Sequence, residues 1–402
     1  MYDILVSGGG ITGLSTALAL RETFGEALKI AVIDPAFGMR EANVRVSALA
    51  AGSVNLLDAI GIWPQIANLA GPMQSLKVTD SRRNDAVRAL YLQFDEPLES
   101  GEPFSFMIRN RDVLQALEKK IRNSAIDILT TSVKRLIPGT RCVELRLADG
   151  STQKARLVIG ADGVKSQVRR SAGIEIVAHD YKRSAIVATL AHEEDHHGEA
   201  IQHFLPPGPF AMLPLAGKHS SIVWTEYRED VAGFLSLSPD DFLEQVERRF
   251  GYALGKFTIE DGPAEFPLRV HIARSFIARR IALVGDAAHL VHPLAGQGLN
   301  LGFRDIAALV EALAGQIRLG LDPGDANALE AYQSARFFDT ASMVATTHGL
   351  HTLFANDLAP LRLLRDLGLG VVDRMPGLKR RLIRDAAGLQ GHVPSLLLGR
   401  LP

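Results

Sequence analysis

Apolar positions along this chain fall into two rhythms. In the first, short unbroken apolar runs close on glycine or aspartate: residues 3–7 before Gly8, 29–33 before Asp34, 157–159 before Gly160 and 281–284 before Gly285. Runs of that length bounded by turn residues predict strands buried on both faces, as in a parallel sheet. In the second, apolar residues alternate over 185–190, 210–215 and 221–227, which predicts antiparallel strands, and 240–250 predicts one helix covering them. Residues 143–147 and 156–159 flank Asp149-Gly150 as a hairpin. Leu114, Leu117 and Ile121 share one face of a helix that starts near Arg109. Beyond residue 336, leucines and arginines interleave in a helical pattern.

The glycine-ended runs carry the chemistry. The first opens Gly8-Gly9-Gly10-Ile11-Thr12-Gly13, a G-x-G-x-x-G loop leading into an Ala/Leu-rich helix. Such glycines give a tight turn, close approach to a pyrophosphate and close helix–strand packing, and an acid about 20 residues on accepts hydrogen bonds from a ribose. Asp34 stands at that spacing, at the end of the second run. The motif alone does not separate FAD from NAD. The fourth run puts Asp286 at its carboxyl end, and Gly296-Gln297-Gly298 then opens a helical pattern through Leu309. Ligands of open α/β sheets sit at the carboxyl ends of strands, and anions suit helix N-termini. Two such loops far apart in sequence suggest one extended cofactor held at both ends. The third run ends in Asp162-Gly163, for which a plain solvent-exposed turn is an equal reading.

In this order, the three segments resemble the fingerprint set of the class A flavoprotein aromatic hydroxylases, the p-hydroxybenzoate hydroxylase fold. Residues 292–305 and the tail 362–398, with Pro376-Gly-Leu-Lys379 and residues 387–394, are most similar to the ubiquinone-biosynthesis hydroxylases of that family. The resemblance covers essentially the whole chain. It implies an α/β architecture: a discontinuous FAD-binding Rossmann-like domain, an inserted antiparallel-sheet substrate domain and a C-terminal helical segment. The separation of the three motifs by material of different texture places the first at residues 1–75, 101–175 and 271–335. The substrate domain is then 76–100 and 176–270, and the helical segment 336–402.

The implied reaction is hydroxylation of the ring of a polyprenylated phenol or quinone precursor by O2 through a C4a-hydroperoxyflavin, with NADPH or NADH as electron donor. The cofactor carries that chemistry, so no catalytic side chain is assigned. The resemblance places Pro293 beside the flavin and Asp286 on the ribityl chain. Backbone amides around Gly296, Gln297 and Gly298 face the pyrimidine edge, and Leu299 and Asn300 are counted with the cofactor-binding residues. Arg45 and Arg111 match basic positions near the phosphates and ribityl chain, although either arginine taken alone reads better as a surface ion pair, and Asp162 with Gly163 is the segment associated with the nicotinamide donor. Gly8, Gly10, Ile11, Thr12, Gly13, Asp34 and Gly285 complete the cofactor set. Phe210, Met212, Leu213 and Pro214 match a strand on the substrate side, with ordinary sheet core as the equal alternative; Trp224 shares that choice.

Composition narrows the picture. At 402 residues the chain supports two or three packed units, and a net charge of −1 offers no broad field for nucleic acid. Cys142 is the single cysteine, which rules out an internal disulfide and fits a reducing compartment. The twelve histidines, His196-His197 and His289/His292 among them, lack companions at metal spacing, so no metal is expected. No apolar run is long enough to span a bilayer and there is no basic leader, so the expected location is cytoplasmic. Leu361, Leu363, Leu364, Leu367 and Leu369 lie among Arg362 and Arg365, with Lys379-Arg380-Arg381 beyond. That pattern suits peripheral contact with the inner face of the cytoplasmic membrane, or with other quinone-biosynthesis proteins; a helix packed on its own domain is the alternative. Two further readings compete: a hydroxylase of a small soluble aromatic compound, and a non-catalytic flavin-binding scaffold of a biosynthetic complex. A flavin halogenase is disfavoured, since neither Trp63 nor Trp224 sits in a Trp-x-Trp-x-Ile-Pro motif.

Overall fold

The computed structural model describes residues 1–39, 44–80, 89–94, 103, 105–205, 207–292, 296–354 and 393–402. All four glycine- or aspartate-ended runs become strands of one sheet. Its order is Ile277–Ala278, Ile281–Leu283, Thr152–Gly160, Tyr2–Ser7, Ile30–Ile33, Asp127–Leu129. Every pairing from Ile281–Leu283 to Asp127–Leu129 is parallel. Such a sheet must be covered on both faces, and all four residues of Ile30–Ile33 are accordingly buried. Register sets the function: Ser7 pairs with both Ile33 and Gly160, and Gly160 with Leu283. The carboxyl ends of four strands are thus level, and the loops that follow them line one edge. The expected hairpin forms antiparallel between Val143–Leu147 and the first half of Thr152–Gly160.

A second eight-stranded sheet runs His289–Leu290, Phe257–Ala273, Ile176–His192, His219–Tyr227, Gly208–Pro214, Glu199–Leu205, Ser75–Asp80, Ala89–Phe94. It is antiparallel except between Glu199–Leu205 and Ser75–Asp80. Its two faces differ in kind. Ile186, Trp224 and Phe210 stand side by side on one face and are buried with Val231, Phe242 and Val246. The last three come from helices Arg228–Leu235 and Pro239–Phe250; the second matches the expected covering helix and is capped by Ser238 Oγ, which accepts from Asp241 N–H at 3.2 Å. Opposite directions in the pleat send Ala185, Val187 and Val223 to the other face, where they meet Leu268, Val270, Phe266 and Val44.

The two sheets are joined at both ends. Strand His289–Leu290, directly after the Gly285 turn, pairs with Phe257–Ala273 through Ile272 and His289. A three-stranded sheet of Val46–Ala50, Ser105–Arg109 and Gly71–Met73 lies between them. Helices Gln297–Ile317 and Ala326–Phe354 complete the first unit, and a 3₁₀ turn at Ser395–Leu398 buries Leu396 and Leu397 and places Ser395 N–H 3.0 Å from Glu311. The tail residues singled out between 361 and 384 lie outside the described residues. No helix among the described residues is long and apolar enough to cross a membrane.

Candidate cofactor site

Gly8 has φ +114, and a Cβ there would stand 2.3 Å from the Ala161 carbonyl oxygen; at Gly13 it would stand 1.9 Å from the Gly8 carbonyl oxygen. These two glycines let helix Ile11–Phe24 close onto the strand and onto the Asp162 segment. Gly10, the helix cap, has nothing within 4 Å of its Cβ position. It leaves an open floor to a cavity of about 440 Å³, lined also by Gly8, Asp34, Asp162, Gly163 and Lys165. The N–H groups of Ile11, Thr12 and Gly13 form the first turn of that helix, where an anion is favoured.

The carboxylates of the cavity are already oriented. Asp34 is 5% exposed, and its two oxygens accept from Gly9 N–H at 2.6 Å and Ala36 N–H at 2.8 Å. Both oxygens are thus fixed at the end of the second strand, where the ribose-binding acid of a dinucleotide fold stands. Asp162 Oδ2 accepts from Gln167 N–H at 2.7 Å and Val168 N–H at 3.1 Å, while its buried Oδ1 has no protein partner. Asp162 lines the cavity, and its orphaned acceptor fits a hydroxyl-bearing ligand such as the nucleoside end of FAD.

At the second loop, Gly285 packs against Thr12: a Cβ there would lie 3.0 Å from Thr12 Cγ2. The loop is pinned from beneath by buried polar side chains. Gly285 N–H donates to Asp305 Oδ2 at 2.9 Å, His271 Nε2 lies 3.1 Å from the Asp286 carbonyl and Arg169 Nη1 donates to the Ala287 carbonyl at 2.7 Å. Tyr332 OH donates to the Leu283 carbonyl at 2.7 Å. The Asp286 carboxyl is pushed above the usual range by burial, an effect that Arg45 and His289 oppose. Arg45 also lies over the Phe266 ring at 5.6 Å, at the border with the second sheet.

Burial, and then the Arg169 charge, lower the His271 pKa to about 4, so its neutral ring donates Nε2–H to the Asp286 carbonyl. The folded value lies below the unfolded one of about 6.5. The stability this neutral histidine contributes is therefore complete above pH 6.5 and lost as pH falls towards 4, up to ~3 kcal/mol in the limit. His271→Gln keeps an N–H donor without a titrating ring. Its urea midpoint should fall less steeply than wild type between pH 6.5 and 4, and coincident slopes would refute the assignment.

The third element is the start of helix Gln297–Ile317. Its cap Gly296 has φ +63, with a Cβ position 3.1 Å from Ala48 Cβ, and a Cβ on Gly298 would meet only Val291 Cγ2 at 4.0 Å. Gln297 is buried and Leu299 half-buried at this opening. Pro293 lies outside the described residues. The Asn300 side chain is engaged by protein. Its Oδ1 accepts from Ala50 N–H at 3.0 Å and Ser53 Oγ at 2.7 Å, and its Nδ2 donates to the carbonyls of Ala48 at 2.8 Å and Gly296 at 3.4 Å. The amide is filled by protein, and it binds strand Val46–Ala50 to the helix start.

Arg111 Nη1 lies 2.9 Å from Asp261 Oδ2, beside the pair Arg109–Glu260 at 2.6 Å, and these pairs tie helix Asn110–Arg122 to the second sheet. Phe210 and Met212 belong to the core on the helix-covered face, with Trp224. Leu213 is half-buried opposite Ser221, and Pro214 is buried opposite Ser220. Ala185, Val187 and Val223 lie on the opposite face, packed with Leu268, Val270, Phe266 and Val344. Lys165, Arg169, His271, Asp305, Tyr332 and Arg336 were not singled out from sequence. Asp305 did leave a signal: it falls four residues from both Leu301 and Leu309, so it shares their buried helix face.

Among known proteins, the FAD binding domain family model matches residues 1–346. The ubiquinone hydroxylase UbiL of Rhodospirillum rubrum is 42% identical, over 99% of this chain and 92% of that protein. The 3-demethoxyubiquinol 3-hydroxylase of Escherichia coli is 32% identical, over 96% and 98%. The crystal structure of p-nitrophenol 4-monooxygenase PnpA from Pseudomonas putida shares the fold, with TM-score 0.77 at 18% identity over 97% of this chain and 99% of that one.

Proposed function

The chain belongs to the FAD binding domain family of flavoprotein monooxygenases, and from that premise we propose that it hydroxylates the ring of a polyprenylated phenol or quinone precursor in ubiquinone biosynthesis. The observation that carries this reading is one level row of strand ends. It brings Gly8, Asp34, Asp162 and Gly285 to one edge. Bound FAD supplies the redox chemistry, with NADPH or NADH as electron donor and O2 as oxidant.

The protein's residues bind, orient and exclude water. The first turn of helix Ile11–Phe24 takes the pyrophosphate, Asp34 the ribose and Asp286 the ribityl hydroxyls. The amides at Gly296, Gln297 and Gly298 stand at a helix N-terminus, which favours negative charge by about 0.3–1 kcal/mol or more. Ala185, Val187, Val223 and Phe266 give the aromatic substrate a dry apolar wall. Such a substrate resides in a bilayer. Peripheral membrane contact, or delivery by a partner protein, is therefore part of the proposal and is assigned to residues 361–384 on sequence alone.

The test is a flavin that nicotinamide reduces and oxygen reoxidises with product. Anaerobic mixing of the FAD-loaded protein with NADPH or NADH should bleach the oxidised flavin band. Isotopically labelled O2 should then place one oxygen atom on a prenylated phenol. A flavin that neither nicotinamide bleaches, even with phenol present, would point to the scaffold reading instead.

A further inference from the structure

Behind the Gly-Asp turn lies a buried charge that cofactor binding as described leaves unused. Asp305, 0% exposed on helix Gln297–Ile317, accepts on one oxygen from Gly285 N–H at 2.9 Å and faces His289 Nε2 at 2.5 Å. Its other oxygen accepts from Arg336 Nε at 2.9 Å, and Arg336 is 5% exposed on the neighbouring helix. Arg336 is itself steadied by Asp339 and by Thr340 Oγ1 at 3.3 Å. Burial alone would push the Asp305 carboxyl up, but His289, Arg336 and the Gly285 hydrogen bond hold it below the usual range.

Stability does not explain such a cluster, because a buried ion pair replaced by apolar residues of similar volume is often no less stable. Its geometry offers the reason. One carboxylate clamps both ends of the short turn from Gly285 to His289, and Asp286 is the first residue inside the clamp. Tyr332 adds a third tie from the same helix as Arg336, at the Leu283 carbonyl just before the turn.

We propose that Asp305 is a positioning residue for the cofactor: acting through the Gly285–His289 turn, it sets Asp286 in place for the ribityl chain. The inference rests on the FAD reading above. A residue that merely joins two helices would alter melting and leave the flavin alone, whereas a positioning residue alters the flavin even when the fold is intact.

The experiment compares wild type with Asp305→Leu/Arg336→Met, which removes the buried charges together. The double variant should melt near wild type in the absence of FAD. It should bind FAD about tenfold or more weakly in a fluorescence titration, in keeping with the 10–100-fold effects of residues that orient metal ligands, and its bound flavin should show a shifted visible band. A folded double variant with wild-type FAD affinity and an unchanged band overturns the inference while leaving the FAD reading intact. Should the double variant not fold, Asp305→Asn decides on the same readouts: weaker FAD with a shifted band supports the assignment, and wild-type values overturn it. Wild-type protein that takes up no FAD at all overturns the reading and the inference together.

Discussion

Gly13→Ala should yield a protein with near-native secondary structure that has lost FAD binding by a hundredfold or more. The added Cβ would stand 1.9 Å from the Gly8 carbonyl oxygen and 3.2 Å from Ala161 Cβ. The nearer atom belongs to the backbone, so no side chain can swing aside. Gly8 cannot retreat, because it holds φ +114 with its own Cβ position 2.3 Å from the Ala161 carbonyl oxygen. The helix must therefore withdraw from the strand by about an ångström, and a misplacement of that size around a reacting or binding group costs on the order of 10²-fold. Gly10→Ala is the control. No protein atom lies within 4 Å of its Cβ position, so the empty protein should melt like wild type, and FAD should weaken only through its own approach to that position. Flavin fluorescence titration with far-ultraviolet circular dichroism checks both. Wild-type FAD affinity in Gly13→Ala would mean that the helix start does not hold the cofactor.

Much of this site is legible in the sequence because its signals are local. An unbroken apolar run ending in glycine states a buried strand and the turn after it, and the level register of Ser7, Ile33, Gly160 and Leu283 follows from parallel pairing. What the sequence conceals are partners brought from far along the chain. Asn300 sits in a glycine-spaced run that reads as cofactor-binding, yet its side chain serves Ala50, 250 residues away. Arg111 taken alone reads as an ion pair, but only the fold shows that its partner is Asp261, 150 residues away on the second sheet. Phe210 and Ala185 both lie on alternating strands, and alternation does not say which face a given pair of helices will cover. Helices Arg228–Leu235 and Pro239–Phe250 settle that by burying Phe210, Met212 and Trp224 together.

The same concealment hides a buried ion pair of the second sheet, and Arg249→Met should expose it by destabilising that unit by about 3–5 kcal/mol, the usual cost of breaking a buried ion pair from one side. Arg249 is 4% exposed and Glu226 1%, and Nη2 of the arginine lies 3.1 Å from Glu226 Oε1. That same oxygen accepts from Trp224 Nε1 at 2.9 Å, and the guanidinium lies over the Trp224 ring at 4.0 Å. Read from sequence, a glutamate near a strand end and an arginine in a helix's last turn pass for solvated surface. In the fold, both close the apolar core between sheet and helices. Removing the arginine takes the guanidinium partner from a carboxylate buried in that core and keeps its bond from the indole N–H. Glu226→Gln together with Arg249→Met removes both charges while leaving an acceptor for the indole, and should recover most of the loss. The chain's two tryptophans make the measurement local. With Trp63 changed to Phe, urea unfolding followed by Trp224 fluorescence reports on this core, whereas a whole-chain melt would mix it with the cofactor unit. A single variant as stable as wild type would show that the pair contributes nothing. A double variant as unstable as the single one would assign the loss to the packing of the arginine stem on Trp224 instead of to the broken ion pair.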